Sequence, residues 1–313
     1  MINLWKVIGI TAVVGVFFTI TGLFLGANTG GMQIGRDGIQ VGSSELMHVH
    51  HTGLDAFDNI SVNVSSMRVR IARADYFGFE AHYRNTSSFS YSIHGNTLTV
   101  HHNINQVTVM GGVNWNLESL TIFIPHNAVL NDVNLHSSSG RIIIEDLNCV
   151  TFTANSSSGR ADINNLTATA ASARSSSGRI NVSSATVDEH FSLRSTSGRI
   201  NVDNSSAEHF DIRTTSGRII ARRVLSGGFD AESSSGRIDL QGVFGGGVNA
   251  RASSGRINVD IDGAESDFNV IAQTSSGSVR INSRQGVNIV NNNADNDIVA
   301  RTSSGGIRID FAR

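Results

Sequence analysis

The sequence predicts an all-β protein, a parallel β-solenoid (β-helix) with coils of about 19 residues, preceded by one N-terminal transmembrane helix. Three observations predict it. A Ser-Ser-Gly-Arg-Ile phrase recurs through the C-terminal half, polar and apolar residues alternate within each copy, and a long uncharged segment lies near the N-terminus. A fixed period of this length is typical of stacked repeats, and strict alternation indicates strands with one buried face.

A glycine marks each copy of the repeat. Successive steps between the first seven glycines are 19, 19, 20, 19, 19 and 19 residues, and degenerate copies follow at Gly277 and Gly305. We interpret the seven as structural turn glycines, because a sharp corner between strands favours a residue that tolerates positive φ. The preceding serines can bond backbone groups at the same corner. The seven turn glycines are Gly140, Gly159, Gly178, Gly198, Gly217, Gly236 and Gly255.

Each copy contains two short alternating stretches. In one copy Ile180 and Val182 are the apolar positions of the first stretch, and Phe191 and Leu193 are those of the second. Each repeat therefore holds two strands and two turns around a core of aliphatic and phenylalanine side chains. We expect consecutive copies to stack in chain order, which leaves the last strand, around 307–311, at an open edge.

Composition divides the chain into four parts. Residues 1–27 are predicted to be a membrane anchor with a helix at 7–27, 28–55 a juxtamembrane linker, 56–136 an N-terminal β region that starts or caps the solenoid, and 137–313 the repeat solenoid. Segment 7–27 carries no charge and is long enough to cross a bilayer. Lys6 before it favours a cytoplasmic N-terminus and an extracytoplasmic β domain. A cleaved signal peptide is the alternative.

Seven arginines follow the turn glycines and form what we call the turn-arginine column. Stacked like charges repel unless they are compensated or used. One hypothesis is a ligand-facing strip for an anionic polymer or lipid headgroups; the other is a set of structural ion pairs with acids such as Asp162 and Asp239. Residues 137–313 contain 18 arginines and 18 acids, which favours ion pairs and argues against nucleic acid. The column is Arg141, Arg160, Arg179, Arg199, Arg218, Arg237 and Arg256.

Residues able to perform chemistry are sparse. His48, His50 and His51 form one cluster and His101 with His102 another, but no cysteine or carboxylate spacing completes a recognised metal site. Cys149, the sole cysteine, falls in a predicted turn region and is expected to be a packed thiol. Paired carboxylates, a Ser-His-Asp motif and phosphate loops do not stand out. We therefore predict no catalytic residues, no cofactor and no metal.

The layout resembles the bacterial "putative adhesin" family of membrane-anchored β-strand-repeat proteins, which includes LiaG-like proteins. The matching segments are Phe57-Asp58-Asn59-Ile60, Ile122-Phe123-Ile124-Pro125 and the Ser-Gly-Arg-Ile repeats, so the resemblance covers roughly residues 57–313. It implies a β-solenoid on the outer side of a membrane and a surface or envelope-stress-associated role. It supplies no catalytic residues.

The predicted function is that of a membrane-anchored, extracytoplasmic, non-catalytic protein for adhesion or other interactions at the cell surface. The partners we expect are the membrane, through the N-terminal helix, and a cell-wall polymer or envelope protein. Two alternatives stay open: a carbohydrate-active β-helix enzyme that uses an outer acid such as Asp239, and a purely architectural rod.

Overall fold

The structure is a computed structural model that describes residues 32–35, 38–41, 45–104, 107–110 and 118–312. Within these ranges the chain is almost entirely β-strand, with a single 3-10 turn at Glu265–Asp267, which confirms the all-β prediction. Nowhere in these ranges is there a helix long and apolar enough to cross a membrane. The predicted helix at 7–27 lies outside the described residues.

The strands fall into four groups along the chain. A separate three-stranded sheet comprises β1 (Met32–Gly35), β2 (Gly38–Val41) and β9 (Val107–Met110). The other strands before the repeats are β3 (Leu46–Thr52), β4 (Asn59–Val64), β5 (Arg68–Ala74), β6 (Gly78–Arg84), β7 (Ser87–His94), β8 (Thr97–Ile104) and β10 (Ser119–Pro125).

The repeats supply most of the remaining strands. Those of the regular repeats are β11 (Leu130–Ser137), β12 (Ile142–Ile144), β13 (Leu147–Ser156), β14 (Ala161–Asn164), β15 (Leu166–Ser175), β16 (Ile180–Ser183), β17 (Thr186–Ser195), β18 (Ile200–Asp203), β19 (Ser206–Thr214), β20 (Ile219–Ser233), β21 (Ile238–Phe244), β22 (Val248–Ala252) and β23 (Ile257–Ile261). Those of the C-terminal end are β24 (Phe268–Ser276), β25 (Val279–Ile281), β26 (Arg284–Gln285), β27 (Ile289–Val290), β28 (Asn296–Ser304) and β29 (Ile307–Phe311).

Two parallel ladders organise the repeats. The first ladder joins β11, β13, β15, β17, β19, the second half of β20, and β22. The second ladder joins β12, β14, β16, β18, the first half of β20, β21 and β23. Pairing advances one repeat at a time, so that equivalent residues lie side by side. The parallel, solenoid-like stacking predicted from the period is therefore present.

The core consists of the inward residues of both ladders. Ile180 pairs with Ile200, which pairs with Ile219, and all three are fully buried. On the first ladder Phe191, Phe210 and Phe229 stack with ring centroids 5.7 and 5.2 Å apart. Other repeats have a different apolar residue at the level of these phenylalanines, such as Ala171 and Val248. Because the position is apolar in each of them, the core continues along the stack.

Chain order and spatial order differ at both ends. Strand β28 lies between β22 and β24, and β29 lies between β23 and β25. The last repeat of the chain is therefore located between the two repeats that precede it in the sequence. Likewise β4 lies between β8 and β11, and β5 between β10 and β12. The expectations of strict chain order and of an open edge at residues 307–311 are wrong, because the C-terminal strand has a partner on each side.

Antiparallel strands cover the outermost repeats. At the N-terminal end β6 pairs with β10 and β3, and β7 pairs with β8. At the other end β27 pairs with β24, and β26 pairs with β25. These short strands satisfy backbone groups that would otherwise recruit another sheet edge.

The two turns of a repeat are built differently. The first turn contains the turn glycine, and all seven turn glycines have φ outside the left-handed region. Left-handed residues occupy the second turn instead, at Asn165, Ser184, Asn204 and Arg223, with φ of 51°, 54°, 47° and 49°. The expectation of positive φ at the turn glycines is therefore wrong.

Close approach of neighbouring repeats explains the glycines. A Cβ at Gly198 would lie 1.7 Å from the carbonyl oxygen of Gly178, and one at Gly178 would lie 1.6 Å from that of Gly159. No side chain fits such a gap. A buried serine supports the same turn, because Ser195 Oγ accepts a hydrogen bond from Gly198 N–H at 2.8 Å. Equivalent bonds link Ser137, Ser156, Ser175, Thr214 and Ser233 to their glycines.

Candidate functional site: an arginine-lined groove

A groove runs along the first ladder beside the first turns. One stretch, between His136 and Ser234, has a volume of about 600 Å³. A second stretch, between Glu232 and Ser303, has a volume of about 430 Å³. The two stretches share Glu232 and Ser234, so they form one continuous, solvent-open groove across successive repeats.

Strand alternation places one column of long side chains in this groove. Arg174 pairs in register with Arg194, and Arg194 with Arg213. Glu232 takes the next position of the column. The residues on either side of each arginine point into the core, so the arginine itself points outwards. The members of the column, which we call the groove arginines, are Arg174, Arg194, Arg213, Arg251 and Arg301.

Hydroxyl groups line the groove next to the arginines. Each belongs to an exposed residue that recurs once per repeat in the first turn. It follows the buried serine or threonine of that turn in every case but one, since Ser253 follows Ala252. Hydroxyls both donate and accept hydrogen bonds, which suits them to a polar ligand. These residues are Ser157, Ser176, Thr196, Ser234 and Ser303 together with Thr215 and Ser253.

The middle of the groove is partly neutralised. Asp211 accepts hydrogen bonds from Arg194 at 3.0 Å and from Arg213 at 2.7 Å. Burial raises the pKa of Asp211, but these two guanidinium groups outweigh it and hold that pKa below its usual value. Arg213 also lies 3.7 Å from Glu232. The central arginines therefore carry charge that is already paired within the protein.

The flanking arginines are differently placed. Among the residues that the structure describes, Arg174 and Arg251 have no carboxylate within 4.0 Å, and Arg301 donates only to the neutral side chain of Gln273, at 3.1 Å. All three are exposed. Their guanidinium groups present uncompensated positive charge on both sides of the paired centre, and each can bind an anionic group through two parallel N–H donors.

The turn-arginine column lies on a separate edge, one residue beyond the turn glycines. Arg141 binds Asp162 at 2.5 Å and Arg237 lies 3.7 Å from Asp239. Within the described part of the chain the other members have no carboxylate partner, and they are exposed. They are Arg160, Arg179, Arg199, Arg218 and Arg256. The predicted ladder of ion pairs is therefore wrong for most of the column.

Asparagine amides form a second set of contacts to the acids of the second ladder. Asn181 Nδ2 donates to Asp162 Oδ1 at 2.6 Å, and Asn201 Nδ2 donates to Asn181 Oδ1 at 2.8 Å. Asn258 Nδ2 donates to Asp239 Oδ1 at 2.6 Å. Asp162 and Asp239 therefore bind an arginine and also accept a bond from an asparagine of the next repeat, within a row of amide hydrogen bonds that follows the stack.

The remaining candidate residues are dispersed. Cys149 lies within β13, not in a turn, and burial with a contribution from Asp132 raises the pKa of its thiol to about 12. His102 is buried 3.8 Å from the buried Glu118, and burial lowers the pKa of His102 although Glu118 opposes it. An inert thiol and a neutral imidazole fit structural roles. The cluster of His48, by contrast, gains partners from β6.

The groove arginines were not singled out from the sequence. Four of the groove arginines stand four residues before one of the seven turn glycines, and Arg301 stands four residues before Gly305. The other three turn glycines have His136, Asn155 and Glu232 at this position, so the groove arginines recur less regularly than the turn-arginine column. Alternation counted backwards from the buried serine would have placed them on the outer face. The pairing of Asp211 with two of them depends on contacts between neighbouring strands, which spacing alone does not reveal.

The match to known proteins agrees with the repeats and strands described above. A family model described as Toastrack DUF4097 matches residues 57–310. The chain belongs to this family. The resemblance to a domain-of-unknown-function family of "putative adhesin" proteins is thereby confirmed. No curated protein matches this toastrack chain at a significant level.

Several solved structures are similar to this toastrack protein. A "putative adhesin" from Parabacteroides distasonis is 11% identical, with a TM-score of 0.49, and the match covers 87% of this chain and 98% of that one. A "putative adhesin" from Parabacteroides merdae is 13% identical, with a TM-score of 0.48 and the same coverage. A protein from Parabacteroides distasonis described as "Putative lipid binding protein" is 15% identical, with a TM-score of 0.47, again with 87% and 98% covered.

Proposed function

We propose that this toastrack protein is a non-catalytic binding module of the cell envelope. In this proposal segment 7–27 anchors it in the membrane, the repeats form a β-solenoid outside the cytoplasm, and the groove binds an extended anionic polymer of the cell wall. The observation that carries the proposal is the placement of exposed, unpaired groove arginines on both sides of a paired centre, in one continuous groove.

The arrangement suits a polymer better than a small anion. Parallel strands are spaced by about 4.8 Å, so the five steps from Arg174 to Arg301 along the first ladder span roughly 24 Å. Arginines at such separations can each bind one anionic group of the same polymer chain. Each contact is weak, but several contacts together give a high overall affinity. The hydroxyl row offers hydrogen bonds between the charged contacts.

The carboxylates near the groove support a non-catalytic role. A glycoside hydrolase needs one carboxylic acid that stays protonated to donate to the leaving group. Asp211 has a lowered pKa because two arginines stabilise its charge. Asp239, the acid named for the enzyme alternative, lies on the second ladder and accepts a hydrogen bond from Asn258. Neither residue is placed as a proton donor within the groove.

Binding of poly(glycerol phosphate) to the full-length protein in detergent micelles tests the proposal. Neutral dextran serves as the ligand control. The triple variant Arg174→Gln, Arg251→Gln, Arg301→Gln removes the unpaired groove charges. We expect it to lose about tenfold or more in affinity. Wild-type binding should fall steeply as salt rises, because exposed charges are screened.

A matched variant removes the same charge from another surface. Arg160→Gln, Arg179→Gln, Arg218→Gln changes the net charge equally but touches only the turn-arginine column, so we expect it to bind like the wild type. If this variant loses affinity and the groove variant does not, the proposal of the groove is wrong and the turn-arginine column is the binding surface. Absence of any polyanion binding by the wild type would overturn the proposal altogether.

A further inference from the structure

The outer face of the sheet at the N-terminal end carries a compact group of metal-ligating side chains. Strands β3 and β6 are antiparallel, and the register sets His48 opposite His82 and His50 opposite Glu80. Because side chains two residues apart share a face, all four lie on one side of the sheet. Residue pairs directly opposite each other bring their Cβ atoms within about 5.5 Å.

Three of these side chains already converge. His48 Nε2 lies 3.0 Å from Glu80 Oε1, and His82 Nε2 lies 3.8 Å from the same oxygen. The imidazole rings of His48 and His82 are stacked, with centroids 4.4 Å apart. One ligand atom from each residue can be chosen so that all three lie within 4.8 Å of one another. Ligand atoms around one tetrahedral Zn²⁺, bound at about 2.0–2.1 Å, lie roughly 3.3–3.4 Å from one another. The two distances to Glu80 Oε1 bracket this value, so side-chain rotations can complete the geometry.

We propose that His48, Glu80 and His82 form a binding site for a divalent transition-metal ion, with Zn²⁺ as its representative. Two imidazoles and one carboxylate are a donor set suited to this class of ion. The site is partly open, since His48 is exposed and Glu80 and His82 are half-buried. A fourth position is therefore accessible to water or to a ligand.

The nearby Arg70 does not pair with the carboxylate of Glu80. Strand β10 pairs with both β6 and β5, which places Thr121 opposite Glu80 and Arg70 opposite Thr121. Arg70 is bound to Glu145 of the next repeat. Among the described residues, the basic side chains within 4.0 Å of the Glu80 carboxylate are therefore those of His48 and His82. Sequence spacing could not show this group, because Glu80 and His82 join His48 only through strand pairing.

Titration of the full-length protein in detergent with Zn²⁺, followed by calorimetry, tests the site. We expect one Zn²⁺ per chain for the wild type and a loss of affinity of about tenfold or more for His48→Gln, His82→Gln. The matched control is His94→Gln, His101→Gln, which removes two exposed histidines from β7 and β8 and should leave the affinity unchanged.

Two further measurements separate loss of the site from loss of the fold. The unfolding midpoint of each variant without Zn²⁺ should equal that of the wild type, whereas added Zn²⁺ should raise the midpoint for the wild type and the control only. Co²⁺ should give the visible absorption of a four-coordinate ion in the wild type and lose it in Glu80→Gln. Failure of the wild type to bind either ion, or unchanged Zn²⁺ affinity in His48→Gln, His82→Gln, would overturn the proposal without bearing on the groove.

Discussion

The two turns of each repeat both reverse the chain direction, but they restrict the residue type for different reasons. The first turn brings successive backbones so close that a Cβ at Gly198 would meet the Gly178 carbonyl at 1.7 Å, although φ there is ordinary. The second turn leaves room for a side chain but holds Asn204 at a φ of 47°. Crowding between repeats selects glycine at the first turn, and backbone conformation selects asparagine or serine at the second.

A recurring glycine can therefore reflect either crowding between repeats or a positive φ. Positive φ can be borne by asparagine at a modest cost, so the second turn tolerates Asn, Ser and even Arg223. A clash with a carbonyl oxygen cannot be relieved without moving a strand of the neighbouring repeat. The first turn is therefore the stricter of the two, and substitutions should separate the two causes.

The largest expected effect is that of Gly198→Ala. The new methyl group would overlap the Gly178 carbonyl and Ser195 Oγ, so we expect a loss of at least about 3 kcal/mol in the free energy of unfolding, the upper range for overpacking. Denaturant unfolding of the full-length protein in detergent measures it. Gly198→Asn should be as destabilising, because asparagine tolerates a positive φ but its side chain clashes with the Gly178 carbonyl in the same way.

A glycine with the opposite properties provides the control. Gly95 has a φ of 54°, and a Cβ added there would meet nothing within 4 Å, so Gly95→Ala should cost only the conformational penalty of about 1–2 kcal/mol. Equal losses for Gly95→Ala and Gly198→Ala would show that crowding does not distinguish the first turn.

The second effect in size concerns the serine that supports the first turn. Ser195→Ala leaves the Gly198 N–H without its acceptor, and we expect a loss of about 1–3 kcal/mol for a buried, unsatisfied donor. The exposed Ser197→Ala is the matched control and should change the stability by less than about 0.5 kcal/mol. The repeat at Gly255 already has Ala252 at this position, so an effect near zero would mean that the turn does not depend on this bond.

The repeat architecture was predictable because the close contact between successive first turns requires a glycine in each repeat. Only glycine fits where each first turn contacts the first turn of the neighbouring repeat. Glycine therefore recurs once per repeat, and its spacing in the sequence gives the length of the repeat. The order of the end repeats was not predictable. Val279 and Ile281 present the same apolar surface as Ile307 and Ile309, and either pair could lie beside Ile257 and Val259. The antiparallel strands β26 and β27 pair with β25 and β24 only in the observed order, and no local pattern encodes these contacts.

The candidate site was predictable only in part. Regular arginines were visible in the sequence, but whether an arginine is paired depends on neighbours one repeat away. Asp211 neutralises Arg194 and Arg213 through contacts along the ladder. Asp162 and Asp239, expected to serve arginines, also serve asparagines. Charge counts give the total charge of a surface and not its distribution, which is the quantity a ligand responds to.

At the second turn, the conformational preference of the side chain and not its size should set the stability. Asn204→Val places a β-branched residue at positive φ, and we expect a loss of about 1–2 kcal/mol. Asn204→Gly should stay within about 0.5 kcal/mol of the wild type, since glycine adopts this φ freely but has more conformational entropy to lose. Urea unfolding resolves the two. A severe loss from Asn204→Gly would indicate that the weak bond from Asn204 Nδ2 to Ser184 Oγ, at 3.4 Å, matters more than the backbone conformation.

The smallest effect should come from the residue next to the first turn's glycine. Arg199 is exposed and has no carboxylate partner among the residues described, so Arg199→Ala should change the free energy of unfolding by less than about 0.5 kcal/mol. Arg141→Ala removes the arginine partner of Asp162, whose side chain is buried. We expect it to cost about 1–3 kcal/mol, because the carboxylate then keeps only its bond from Asn181. Thermal unfolding at low and high salt checks both, and only Arg141→Ala should have an effect that changes with salt. A large loss from Arg199→Ala would mean that the column next to the glycines supports the first turn, and the strictness of that turn would then not be due to crowding alone.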